Sequence, residues 1–355
     1  MVNSHLINQC TLRFSDSFKT HREDLSAVIL TQQQYLWFGS DETSTIERLS
    51  LLDSKNFNNH QQFRVAEFID LPSLEDEEID IEGLAYDDYY LWLVGSHSYK
   101  RKQPKSDKNG EQNIARLAKI AAEKNRYILA RIPLIDGQLI KSCPHPQNPS
   151  MQLSAAKLKL TKDNNVLMAA LAEDSHLGCF VKAGIPGKDN GFDIEGLAVV
   201  QGRVFLGLRG PVLRGWAIIL ELELENSEPG LLTLSKIDVE TRGYKKHFTW
   251  LNGLGIRDLC WDEEDLLILA GPTMDLDGVV QVYRLKNGVN LPENTLHTPE
   301  LVQEIPHGDR NDRAEGMTLF DDISGVPSLL VVYDSPAENR LVGDDSVIAD
   351  VFQLS

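Results

Sequence analysis

The chain has 355 residues and a formal net charge of −18 at pH 7, from 35 Lys and Arg against 53 Asp and Glu. That charge argues against nucleic acid and an anionic membrane surface as partners, and no apolar run approaches the ~20 residues of a membrane helix. Cys10, Cys143, Cys179 and Cys260 are scattered with no C-x-x-C pair, as expected of free thiols in a cytoplasmic protein.

The first segment, Met1-Val2-Asn3-Ser4-His5, has no basic stretch leading into an apolar core, so no secretory signal is read and a cytoplasmic location is expected. Leu6 to Phe14 then reads as a strand. Leu25-Ser26-Ala27-Val28 precedes the apolar run Tyr35-Leu36-Trp37-Phe38-Gly39, and Asp80-Ile81-Glu82-Gly83-Leu84-Ala85 precedes Leu91-Trp92-Leu93-Val94-Gly95. Between Tyr99 and Arg126 nine Lys or Arg oppose three acids. Within that basic insertion (99–126), apolar residues at 114, 117, 120 and 121 predict a helical stripe over Ile114 to Lys124.

A strand is expected from Tyr127 to Ile132. Asp193-Ile194-Glu195-Gly196-Leu197-Ala198 then nearly repeats the earlier sentence, with Val204-Phe205-Leu206-Gly207 behind it. Ala217 to Leu224 reads as a later strand of that unit. Ile256-Arg257-Asp258-Leu259-Cys260 precedes Leu266 to Gly271, with a further strand from Val279 to Leu285. Ala314-Glu315-Gly316-Met317-Thr318 precedes Leu329 to Asp334, and Ser346 to Leu354 closes the chain as another strand.

The unit starts at 25, 81, 194, 256 and 314 lie nearly sixty residues apart, with one interval of double length. A sixth copy is expected inside that interval, at Leu158-Lys159-Leu160 followed by Val166 to Ala172. Repetition at this period sets the architecture. Four short antiparallel strands per unit, punctuated by turns such as Asp163-Asn164-Asn165 and Gln201-Gly202, predict an all-β, six-bladed β-propeller with four-stranded antiparallel blades around a central channel. The whole of 1–355 is read as one domain. Pairing of the first and last strands in one blade would close the ring and remove a sheet edge.

Asp-Ile-Glu-Gly-Leu-Ala, Gly207 to Gly215 with Arg209 and Arg214, Gly255 to Leu259, and Ala314-Glu315-Gly316-Met317 together resemble a bacterial family catalogued as domain of unknown function 3616. The resemblance runs from about residue 20 to the C-terminus. It implies a propeller and supplies no activity, so it assigns no catalytic residue. The recurring Glu-Gly-Leu is also loosely similar to phytase-like and esterase-like propellers.

Propeller geometry predicts where a site would lie. Glu82, Glu195, Asp258 and Glu315 stand at first-strand starts, and Asp41, His97, Asp174, Arg209 and Asp334 follow second-strand runs. All are expected at one mouth of the channel. Asp80 and Asp193 lie two residues before their glutamates and so share their strand face. Clustered carboxylates repel, so either some are protonated or a cation neutralises them. Calcium suits an all-oxygen set of Glu82, Glu195, Asp258 and Glu315. Zinc does not, since His97 and His307 lack ligand spacing. In the structural alternative, each acid accepts backbone amides of the next blade and locks the ring.

Arg209, Arg214 and Arg257, with Asp334, are candidate substrate-binding residues, because arginine forks suit carboxylate or phosphate. An ion pair with a neighbouring acid is the alternative. His97 is placed as a general base with Glu82 and Glu195 as proton carriers. Asp309, Arg310, Asp312 and Arg313 read as a solvated turn, and Asp275-Leu276-Asp277-Gly278 as a hairpin turn. No Gly-x-Ser-x-Gly elbow or phosphate-binding Gly-rich loop is present. Two functions fit: a metal-assisted hydrolase of a small phosphoester or lactone, or a non-enzymatic scaffold binding a small, anionic or protein ligand. The basic insertion is then a lid or a partner-docking element, or else a disordered, soluble loop.

Overall fold

The computed structural model describes residues 5–237, 243–308 and 311–354. Met1–Ser4, and Asp309 and Arg310 of the charged loop, lie outside them. The fold is all-β and propeller-like. Among the described residues, five units each hold four antiparallel strands. The first is Leu25–Thr31, Tyr35–Ser40, Thr45–Asp53 and Asn56–Arg64. The second is Ile81–Asp87, Tyr90–Gly95, Leu129–Ile135 and Ala156–Leu158. The third is Asp193–Val200, Arg203–Gly210, Trp216–Glu228 and Tyr244–Trp250.

Gly255–Asp262, Asp265–Gly271, Val280–Leu285 and Glu300–Ile305 form the fourth unit. The fifth takes Arg313–Leu319, Ser328–Asp334 and Ser346–Gln353 from one end of the chain and Leu6–Arg13 from the other. The expected closure by both terminal segments is therefore present.

The innermost strands pack side by side in cyclic order, unit one to unit five and back to one. The apolar residues follow the same cycle. Trp37 and Ile46 of the first unit share a core with Leu91 and Ile132 of the second, and Leu267 and Val282 of the fourth with Met317 and Leu329 of the fifth. Corresponding cores fill the other three joints. The core thus lies between units, which is why first and second strands are apolar on both faces.

The expected sixth unit is not formed among the described residues. Val166–Ala172 is a helix, and Gly178–Ala183 is a second one. The run Val-Leu-Met-Ala-Ala-Leu-Ala is rich in strong helix formers, and Asn165 caps it by accepting the Met168 amide at 3.0 Å. A short apolar run does not by its pattern distinguish a buried strand from a buried helix. Leu167, Met168 and Leu171 pack into the joint between the second and third units. In the basic insertion the helix is Gly110–Leu117, earlier than expected, and Ile120–Ala121 pairs instead with Lys100–Arg101 as a two-stranded ribbon. All four cysteines are free thiols. No helix among the described residues is long and apolar enough to cross a membrane.

The repeated Glu-Gly-Leu has a steric cause. A Cβ on Gly83 would lie 2.6 Å from the Leu197 Cβ, and one on Gly196 2.8 Å from the Leu259 Cγ. Glycine there lets each first strand lie against the next unit's first strand. Gly196→Ala is expected to cost about 1–3 kcal/mol of stability by overpacking. Gly110→Ala, where nothing lies within 4 Å, is the neutral control in the same urea titration.

Candidate functional site at the channel mouth

Each first strand carries the same irregularity. The pairing register slips between Leu25 and Ala27, Ile81 and Gly83, Ile194 and Gly196, Ile256 and Asp258, and Ala314 and Gly316. A bulge leaves one residue unpaired and re-aims its side chain. The five equivalent bulge residues are Ser26, Glu82, Glu195, Arg257 and Glu315, and all are buried. The fourth position corrects the sequence expectation: Arg257, not Asp258, is the counterpart of the glutamates. Asp258 accepts the Leu259 amide and, across the joint, the Met317 amide, both at 2.8 Å. It locks two units together, as the structural alternative described.

The acids at the mouth are neutralised in a ladder of alternating charge. Arg209 spans Asp193 and Glu195 at 2.5 Å each. Arg257 joins Glu195 at 2.9 Å to Glu315. Beside them Arg126 meets Asp80 at 2.5 Å and takes Ser96 and Ser98 as further acceptors at 3.1 and 3.0 Å. Lys188 reaches Asp41 at 3.6 Å. The positive charge that the clustered carboxylates require is thus supplied by arginine. Among the described residues no group of three His, Cys, Asp or Glu is placed to hold a metal. Burial raises the Glu195 carboxyl to about 7, against the downward pull of Arg209 and Arg257. Burial and the charge of Glu315 likewise raise Asp334 to about 7.

Glu82 stands apart. It is 6% exposed and makes no hydrogen bond or ion pair with a described residue, whereas its counterparts Glu195 and Glu315 do. Burial, then the charges of Asp80, Glu195, Glu315 and Asp41, push its carboxyl well above the usual carboxylate range. It opens onto a cavity of about 260 Å³ whose floor includes Asp41, Asp80, Asp193 and Arg209. The basic insertion forms the opposite wall with Tyr99 to Pro104 and Leu117. Lys100 and Arg101 are tied down there by Glu78 and Asp189, both at 2.5 Å. A second hollow of about 30 Å³ adjoins it at Lys188, Arg209 and Asp275, on the side of Arg257 and Glu315.

Four other expected site residues lie elsewhere or are engaged. His97 is 1% exposed with φ +56°. Its Nδ1 bonds the Gly95 carbonyl at 2.7 Å and its Nε2 accepts from Asn165 at 2.7 Å. Burial lowers its pKa to about 4, so both nitrogens are occupied in a neutral ring and it is not placed as a base at the mouth. Asn165→Ala would strip the helix cap and leave the His97 Nε2 without its donor. A loss of about 2–3 kcal/mol is expected in urea unfolding. Arg214 is exposed and does not line the cavity. Asp174 binds Lys246 at 2.5 Å and Tyr244 at 2.8 Å, away from the mouth. Asp334 faces Arg313 at 3.9 Å.

Sequence reasoning missed Arg126 and Lys188 as site residues. Arg126 was absorbed into the count of the basic insertion. Lys188 sits in the turn Pro186-Gly187-Lys188-Asp189-Asn190-Gly191, just before the first strand of the third unit. A loop entering a first strand lies at the same mouth as that strand's start, which is the signal that would have found it.

Propeller-like solved structures are similar to this chain at low identity. Virginiamycin B lyase from Staphylococcus aureus is 9% identical, with 92% of this chain and 67% of that one covered and a TM-score of 0.33. A mannose phosphorylase from Leishmania mexicana is 11% identical over 99% and 87% at 0.38. The PQQ-bound aldose sugar dehydrogenase from Streptomyces coelicolor is 12% identical over 100% and 99% at 0.37. Likenesses this distant carry no argument about activity. No curated protein matches the chain. The protein of unknown function family DUF3616 matches residues 24–350, and the chain belongs to it.

Proposed function

We propose that this protein binds a small polar molecule in the mouth of its ring, under the wall formed by the basic insertion. The observation that carries the reading is Glu82, a largely buried carboxyl that has no hydrogen-bond or ion-pair partner among the described residues and opens onto a cavity of about 260 Å³. Leaving a buried polar group unsatisfied is costly, and such groups persist where a ligand completes them. At the ~30 Å³ that a water takes up in the liquid, the cavity has room for roughly nine waters, the scale of a small metabolite rather than a bare ion.

The ion pairs of Glu195 and Glu315 with arginine support this binding reading over a metal-assisted hydrolase of phosphoesters or lactones. So does the enclosed position of His97. The test is a thermal-shift screen against small charged and neutral compounds, repeated on Gln103→Trp. Gln103 is an exposed residue on the cavity wall, so the bulky ring fills the space without breaking an ion pair. Compounds at about a hundred times their Kd should add ~2.7 kcal/mol, and the shift should shrink in Gln103→Trp. A panel with no hits, or hits indifferent to Gln103→Trp, would refute the reading.

A further inference from the structure

We infer that the ligand of this mouth is a small organic cation, whose ammonium or guanidinium group docks on Glu82 with Asp41 beside it; this rests on the mouth being a ligand site. The first argument is the balance of charge on the cavity floor. Each arginine there is ion-paired, Arg126 with Asp80 and Arg209 with Asp193 and Glu195, although Arg126 Nη1 and Arg209 Nε have no hydrogen-bond acceptor among the described residues. Glu82 is left over, with no cation hydrogen-bonded or ion-paired to it among the described residues. Among the described residues Asp41 has Lys188 at 3.6 Å, a long contact from a half-exposed side chain.

The donors decide among ligand classes. A hydroxyl would give Glu82 one hydrogen bond and leave its charge beside the neighbouring acids. An ammonium or guanidinium gives several donors and the missing charge together. An anion would meet the same acids with repulsion. A divalent metal needs several oxygens converging on one point, and the described residues hold no such group. The wall suits the rest of such a molecule. Tyr99, Pro104, Leu117 and Pro186 present apolar surface for methylene groups, and a tyrosine ring also attracts cations.

The test uses the full-length protein and probes of matched length: 1,5-diaminopentane, agmatine, 1,5-pentanediol and glutarate, with CaCl2 as the inorganic arm, all by titration calorimetry. Diaminopentane or agmatine should bind at least ten-fold more tightly than the diol, and glutarate should not bind. Glu82→Gln should weaken the amine by about ten- to a hundred-fold, the range expected for one charged hydrogen-bonded contact. Gln103→Trp should weaken it independently. Equal or tighter binding of the diol or glutarate, binding of calcium alone, or an amine affinity unchanged in Glu82→Gln would each overturn the inference. A neutral or anionic compound whose binding is lost in Gln103→Trp would overturn the cation while leaving the mouth as a ligand site. No binding by any probe or panel compound would remove both.

Discussion

Glu82→Gln is expected to raise the melting temperature by about 3 °C at pH 8 and to leave it nearly unchanged at pH 4. Glutamine keeps the shape of the side chain and removes its ionisation. A buried charged group without a partner costs upwards of about 2 kcal/mol, and a chain of this length converts that to ~3 °C. The sign follows from proton linkage. The folded-state carboxyl is raised above its unfolded value, so between the two the native state holds a proton that the unfolded state has lost. Stability therefore falls as pH climbs from the unfolded value near 4.5.

Several groups around Glu82 also titrate or carry charge. Asp41, Asp80, Glu195 and Glu315 face it as acids, and Arg126, Lys188, Arg209 and Arg257 as bases. The difference between native and variant melts at each pH removes their common contribution. A variant that gains stability while losing its ligand identifies a residue kept for binding at a cost to the fold. A variant less stable than the native protein at pH 8 would mean that Glu82 has a partner in solution.

Arg209→Met should do the opposite, with the largest loss of any single change at the site. It would strand Asp193 and Glu195, both nearly inaccessible, without the guanidinium that spans them. Removing one member of a buried pair costs about 3–5 kcal/mol, since the remaining charge is uncompensated. Here one residue serves two acids, so the upper end is expected, read as the urea midpoint. Arg209→Lys should recover only part of the loss, because a single ammonium does not reproduce a fork bonding two carboxylates. The triple change Arg209→Met, Asp193→Asn, Glu195→Gln should recover most of it. A cost under 1 kcal/mol for Arg209→Met would show that the ladder does not hold the inner strands together.

The role of these charges was open in the sequence for a physical reason. Glu82 and Glu195 stand in nearly identical sentences, Asp-Ile-Glu-Gly-Leu-Ala, yet among the described residues Glu195 is paired twice and Glu82 not at all. Their immediate neighbours do not distinguish them. The difference lies on each unit's own second strand and in the next unit round the ring. Glu195 has Arg257 at the equivalent bulge of its neighbour and Arg209 on its own second strand. The residue matching Arg209 on the strand beside Glu82 is in the Gly95-Ser96 stretch, which offers no cation.

Local pattern by itself determined the strands, the period and the glycines. A buried strand needs continuous apolar residues and a turn needs Asp, Asn or Gly, and both are written residue by residue. The same pattern located the start of every first strand, and so the mouth of the channel, where Glu82, Glu195, Arg209, Arg257 and Glu315 do lie. Only the tertiary structure decided the number of units, because Val166–Ala172 is apolar enough for either a strand or a helix. It also decided that Arg257 rather than Asp258 faces the axis, since a bulge shifts the register by one residue and turns the next side chain into the joint. Finally it decided that His97 is enclosed and Glu82 left open. Those outcomes depend on Asn165 and on the neighbouring units, which come together only when the ring closes.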